Sequence, residues 1–296
     1  MGGFEGGDEG GFWDDNFLAS NDAKSRVKHN GISYVTTSDS GYSIKAHAKV
    51  TVFLKITGYK DKCPTLLSRL VRVKELYDTI SFVPCKCGSF TIEGCDDIAF
   101  ESNTIYKAYQ ALNDYTADSD IEEFFYEHKV VVTKRIASRV GLGGASSDAA
   151  AFMLLLKEVC NLILSTDELV KIGSTIGSDL PFFIHNCPSA NVSGFGEIVK
   201  PFDEETITFE LYTPEIKCDK TVVYETFKKN LLADVSLSSF EDWDRLDSKS
   251  IIKRVSDPLI LNDLYAASLL AYPNLKKEAK EGWLFSDSGS TFFKLL

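Results

Sequence analysis

The run Val140-Gly141-Leu142-Gly143-Gly144-Ala145-Ser146-Ser147-Asp148-Ala149-Ala150 constrains the fold more than any other stretch of the chain. Glycine lets backbone amides approach a ligand that a Cβ would exclude. Serine and aspartate open helices well, and the following residues 149–159 are rich in Ala, Leu and Met. A glycine turn feeding a helix start presents unpaired N–H groups and the positive end of the helix dipole, which is an anion site. No Gly-Lys pair occurs, so this is not a Walker loop. Ser146 stands where a dinucleotide fingerprint needs a third Gly or Ala. The two serines suit a hydroxyl beside a metal-bound phosphate. The competing reading is a tight loop before a packed helix.

Upstream, Ile44, Ala46, Ala48, Val50, Val52, Leu54 and Ile56 make every even position apolar. That period of two predicts a strand with one face on a core. Lys49 and Thr51 then project from the opposite face, where plain solvation is the simplest expectation. Residues 66–83 read as strand-rich. Asn103 can cap a helix running to about 112, 113–129 is polar and acidic, and 130–133 reads as a strand. A helix follows over 167–176, then a turn at Gly177-Ser178-Asp179 and an apolar 182–184. An Asx turn or cap before Pro181 is the structural alternative for Asp179.

Residues 189–296 read as a second α+β unit. It has a Gly194-Phe195-Gly196 turn, a strand over 206–212, helices over 219–229 and 262–271, and a hairpin over 283–295. Residues 233–250 read as a surface connection. Residues 1–42 read as a flexible tail, because Gly2, Gly3, Gly6, Gly7, Gly10 and Gly11 and the acids Glu5, Asp8, Glu9, Asp14, Asp15 and Asp22 oppose a packed core.

Lys and Arg number 32 against 43 Asp and Glu, a net charge of −11. That argues against a nucleic-acid partner, whose grip comes from basic residues on phosphates, but leaves room for a small phosphorylated ligand. The longest apolar run, 149–156, is far short of the ~20 residues of a membrane span. With no secretory leader pattern and an odd seven cysteines, the expectation is a cytoplasmic chain with reduced thiols. Cys63, Cys85, Cys87 and Cys95 offer a metal site, the alternative being buried or half-buried free thiols.

The glycine run resembles the second motif of the GHMP kinase family, and within it the branch acting on a cytidine-diphosphate-linked methylerythritol. Further segments resemble that branch in order: 48–58 the first motif, 78–80 the next strand start, and Asn103-Thr104-Ile105 a helix start. Residues 176–183 resemble the catalytic-aspartate loop, 194–197 a Gly-Ile-Gly-Glu turn, and 286–290 the third motif. The resemblance spans about 43–295. It implies an α+β fold of two domains, an S5-like ATP-binding domain over 43–188 and a ferredoxin-like substrate domain over 189–296, with the active site in the cleft between them.

The resemblance also implies ATP and Mg²⁺ as cofactors, a small-molecule alcohol as substrate, and a monomer or homodimer. Asp179 would accept or orient the hydroxyl proton, and Lys49 would hold Asp179 ionised. Asn103, Gly141, Leu142, Gly143, Gly144, Ala145, Ser146 and Ser147 would bind ATP, with Ser147 near the metal. Thr51 and Asp148 would contact the substrate. Four places depart from the family: Lys62-Cys63-Pro64 replaces Gly-Tyr-His, Thr51 replaces Asn, 137–140 replaces Pro-x-Gly-Gly, and Asp287 replaces a Gly. Phosphate chemistry is thus better preserved than cytidine recognition. The alternatives are a kinase for another small alcohol, a catalytically weakened nucleotide-binding homologue, and an RNA-binding module.

Overall fold

A computed structural model describes residues 25–27, 35–38, 41–60, 63–96, 98–116, 119–231 and 242–296. The chain begins with β1 (Ser25–Val27), β2 (Val35–Ser38), β3 (Gly41–Lys60), β4 (Cys63–Pro84) and β5 (Ile92–Glu93). Then come α1 (Thr104–Thr116), α2 (Ser119–Glu127), β6 (His128–Thr133), α3 (Gly144–Val159), α4 (Thr166–Ser174) and α5 (Leu180–His185). It continues with β7 (Ser189–Gly194), β8 (Ile198–Pro201), β9 (Phe209–Tyr212), α6 (Lys220–Asn230) and α7 (Ser248–Arg254). It ends with α8 (Pro258–Leu261), α9 (Asp263–Ala271), α10 (Leu275–Glu278), β10 (Leu284–Phe285) and β11 (Phe292–Leu295).

Eight strands form one sheet in the order β1-β2-β3-β4-β6-β5, with β7 also on β4 and β8 on β7. All of its pairs are antiparallel except β5–β6. The long strand β4 changes partner along its length: 66–71 pairs with β7 and 79–84 with β6. A second, antiparallel sheet has the order β10-β11-β9.

The alternation read in β3 holds only between irregularities. Its pairing with β4 shifts register between His47 and Ala48 and again between Thr51 and Phe53. At the first shift the pairing skips residues 74–76 of β4, and at the second it skips Val52 of β3; such irregularities bend a strand and re-aim its side chains. Ile44, Ala46, Leu54 and Ile56 therefore pack in the large core with the helices. Ala48, Val50 and Val52 pack in a second core with Trp243, Ile251 and Phe293. Lys49 and Thr51, between the two shifts, face the helix side and are buried rather than solvated.

The helix α3 begins at Gly144, five residues before the apolar run that predicted it, with Gly143 as its N-cap. Ala149, Ala150, Phe152, Met153, Leu155 and Leu156 are all buried. A helix apolar on nearly every side belongs at the centre of a domain, and α3 packs on β3 with α1 and α5 beside it. That seat fixes where its amino terminus points.

Several sequence expectations are corrected. Residues 25–27 and 35–38, assigned to the tail, form strands on the edge of β3; the rest of 1–40 lies outside the described residues. The proposed boundary at 188/189 cuts the first sheet, because β7 and β8 belong to it. The change of sheet comes between Pro201 and Phe209. The supposed surface connection holds Trp243, 1% exposed, packed edge-on against Phe53 at 5.3 Å. Its residues 233–241 lie outside the described residues. The same segment is latched to β4 by buried Arg69, whose guanidinium donates to the carbonyls of Trp243 and Leu246 and pairs with Glu204 at 3.5 Å.

Cys85 and Cys87 are joined as a disulfide, against the expectation of reduced thiols there. Cys63 opens the 22-residue β4 and Cys85 follows its last residue, Pro84, so the two cannot share an ion. Among the described residues no group of three His, Cys, Asp or Glu is placed to hold a metal. No helix among them is long and apolar enough to cross a membrane.

Candidate active site

The site assembles around the Lys49 ammonium. Its Nζ donates to Thr51 Oγ1 at 2.9 Å, to the Gly141 carbonyl at 3.1 Å and to Asp287 Oδ2 at 2.5 Å. Asp179 Oδ2 lies 3.6 Å away. A buried charge persists only when it is paired and hydrogen-bonded, and this one has both. The Lys49 backbone N–H also donates to the Leu142 carbonyl at 3.0 Å, so strand and glycine turn are joined twice.

Gly141 and Gly143 have φ of +80° and +72°, where glycine rests without strain. A Cβ on Gly141 would lie 2.3 Å from the Ser286 carbonyl oxygen, and one on Gly143 2.9 Å from the Phe183 ring. The turn is clamped by 286–291. Ser286 Oγ donates to the Gly141 carbonyl at 2.9 Å and accepts from the Thr51 N–H at 3.1 Å, and the Thr291 N–H donates to the Val140 carbonyl at 3.0 Å. Gly143 supplies no side-chain acceptor to α3. The first N–H groups of the helix, from Gly144 to Ser146, are thus left for an anion.

Asp179 ends the turn before α5, but its side chain does not cap that helix. Oδ1 accepts instead from Lys220 Nζ at 3.1 Å and from Ser178 Oγ at 3.3 Å. Burial favours the neutral acid, yet the Lys220 and Lys49 ammoniums outweigh it and hold the carboxyl well below the usual carboxylate range. Lys220, whose side chain is only partly covered, is held above the ordinary lysine range: Asp179 and Asp287 overcome its loss of hydration. The Cap-or-Asx alternative for Asp179 and the solvated alternative for Lys49 both fall to this geometry.

Other expected residues take different parts. Ser147 is buried, and its hydroxyl donates to the His47 carbonyl at 2.7 Å, sewing α3 to β3. That commits the Ser147 proton and not its lone pairs, and half-buried Ser146 is the first-turn hydroxyl closer to the surface. Asp148, expected at the substrate, is buried and paired with Lys134 at 2.7 Å. Lys134 also holds Asp78 at 2.5 Å, and Asp78 Oδ1 accepts from the N–H groups of Arg135 and Ile136. This cluster braces both ends of the glycine turn. Asn103 is buried, its Oδ1 accepting from the Ile105 N–H at 2.9 Å to cap α1. The adjacent Thr104 Oγ1 donates to the Ala145 carbonyl at 2.8 Å, bringing the starts of α1 and α3 together. Arg139, beside the turn, pairs at the surface with Asp219 at 3.7 Å.

Lys220 was missed by sequence reading, since a lysine beginning a predicted helix carries no signal of its own. Asp287, flagged as a departure, joins the Lys49 ion pair instead of pointing away. A narrow cleft opens beside these charges, lined by Thr51, Leu66, Val192, Ser178, Lys220 and Tyr224.

The model of the GHMP kinases N-terminal domain matches residues 103–186. The 4-diphosphocytidyl-2-C-methyl-D-erythritol kinase of Sulfurovum sp. (strain NBC37-1) is 53% identical over 254 residues, 86% of this chain and 99% of that protein. The protein of the same name from Sulfurimonas denitrificans (strain ATCC 33889 / DSM 1251) is 40% identical over 255 residues, 85% of this chain and 96% of that one. A crystal structure of 4-(cytidine 5'-diphospho)-2C-methyl-D-erythritol kinase shares the fold, with a TM-score of 0.65 at 24% identity over 86% of this chain and 89% of that one. With identity of that order over nearly the whole length of its relatives, the chain belongs to the 4-diphosphocytidyl-2-C-methyl-D-erythritol kinase family of GHMP kinases.

Proposed function

We propose that this chain is a cytoplasmic enzyme that transfers the γ-phosphoryl group of ATP to the 2-hydroxyl of 4-diphosphocytidyl-2-C-methyl-D-erythritol. One observation carries the reading: a single buried ammonium, Lys49, touches both the glycine turn and the Asp179 carboxylate. Phosphoryl transfer asks mainly for positioning and charge neutralisation, and this arrangement supplies both.

The N–H groups opening α3 hold the nucleotide phosphates, and Asp179, kept ionised, orients the acceptor hydroxyl. The acceptor oxygen bonds to phosphorus as the bond to the ADP oxygen breaks, and the hydroxyl proton passes to the carboxylate. A carboxylate this acidic is a weak base, so the proton moves late, which suits a loose transition state. Lys49 neutralises charge on the group in transit. Mg²⁺ in such sites takes most of its ligands from phosphate oxygens and water, so one hydroxyl suffices from the protein, and Ser146 fits that need. When bound, the ion would offset the charge building on the leaving phosphate. The substrate would occupy the cleft between Thr51 and Tyr224, close to Asp179.

The test incubates the protein with ATP, Mg²⁺ and the cytidyl substrate and detects the phosphorylated product by mass. Product from wild type, with Asp179→Asn slower by about 100-fold or more, supports the reading. Nucleotide binding without product would favour the weakened homologue.

A further inference from the structure

Lys220 occupies a place that helix formation alone does not explain. It is the first residue of α6, where the positive end of the dipole disfavours a cation. Asp219 already serves the helix start, its Oδ1 accepting from the Thr221 N–H at 2.9 Å. The lysine instead reaches across to Ser178 Oγ at 3.0 Å, Asp179 Oδ1 at 3.1 Å and Asp287 Oδ2 at 4.0 Å. Lys49 meets the same two carboxylates from the other side. Four charges from four segments thus alternate in a ring, two lysines against two aspartates.

Asp287 is equally hard to explain alone. Its φ is +55°, a conformation in which glycine would be unstrained, and the family motif has glycine here. The acid side chain is buried, and its Oδ2 is spent on the two lysines. A second cation beside Asp179 and a second anion beside Lys49 each leave the site with an uncompensated charge; together they cancel.

We propose that Lys220 is a second positioning lysine of the phosphoryl transfer, fixing one oxygen of Asp179 while Lys49 holds the other. Asp287 is the counter-charge that keeps this two-lysine site neutral. The inference rests on the kinase reading above and adds to it a residue and a charge pair. Removing Lys220 alone leaves two carboxylates sharing Lys49, a net negative site where phosphate must approach. Removing Asp287 as well restores the balance.

The groups facing Asp179 are Lys49 on β3, Lys220 and Tyr224 on α6, and Asp287 in the turn between β10 and β11. Loss of Lys220 therefore raises the Asp179 carboxyl toward its ordinary range.

The experiment compares wild type with Lys220→Met, Lys220→Arg, Asp287→Gly and the Lys220→Met/Asp287→Gly pair, using the full chain. Lys220→Met is expected to lose about 100-fold in kcat with little change in KM for ATP. Lys220→Arg keeps most activity, and adding Asp287→Gly to Lys220→Met recovers about tenfold. Carbon-13 titration of the Asp179 carboxyl is expected to show its midpoint rise by about one unit or more in Lys220→Met. A Lys220→Met kcat within about threefold of wild type, or two losses that simply add, overturns the proposal. A wild type making no product sinks the substrate assignment alone. The titration then decides, and an unmoved Asp179 midpoint overturns the role of Lys220.

Discussion

Lys49 Nζ donates to the Gly141 carbonyl at 3.1 Å, joining a strand residue to a turn 92 positions later. The same ammonium balances Asp287, so its loss should damage folding and chemistry separately. Lys49→Met leaves the buried Asp287 carboxylate without its nearest cation, which costs about 3–5 kcal/mol for a buried pair broken on one side. Thermal melting should show that loss. In Lys49→Met/Asp287→Gly most of the melting temperature should return while turnover stays low. Recovery of both together would show that Lys49 acts only on stability.

Gly143 makes a second steric demand on the phosphate turn, beside that of Gly141. Alanine there must adopt a left-handed φ and would press on the Phe183 ring at 2.9 Å and on Lys49 Cε at 3.2 Å. We expect a stability loss of about 1–3 kcal/mol and ATP affinity weaker by about tenfold or more, read by calorimetry. Wild-type ATP affinity in Gly143→Ala would contradict the turn's assigned role.

Asp148 gives a pH signature. It shares Lys134 with Asp78, and its Oδ1 has no hydrogen-bond partner among the described residues. Burial outweighs the Lys134 ammonium and, with the Asp78 charge adding to it, pushes the carboxyl up to about 7 from 3.8. Folded protein thus keeps a proton that the unfolded chain has released. The contribution is fully present below about pH 4 and is lost as pH rises toward about 7. Asp148→Asn carries no such loss, so its melting temperature should gain on that of wild type between about pH 4 and pH 7. Parallel melting curves across that range would count against the buried, proton-holding Asp148.

The glycine turn and the helix after it were legible because each depends on local chemistry, backbone freedom and a dipole; the part given to Asp179 came through the family resemblance, since local chemistry offers only a turn or cap there. Lys49 was legible only through the family resemblance. Its burial depends on two register shifts in β3, which period-two patterning does not show. Ser147 and Asp148 are placed at the ligand by the family resemblance. The helix begins earlier than its apolar run, at Gly144, and its rotation carries both side chains inward. Lys220 and Trp243 were invisible, since what gives each its place lies on distant segments.

The most direct measurement follows phosphorylated product by mass in mixtures of ATP, Mg²⁺ and 4-diphosphocytidyl-2-C-methyl-D-erythritol. The geometry predicts turnover by wild type and a fall of about 100-fold or more for Asp179→Asn, measured at a temperature where the variant remains folded. Equal rates for the two proteins would contradict the placing of the reaction between Asp179 and the glycine turn.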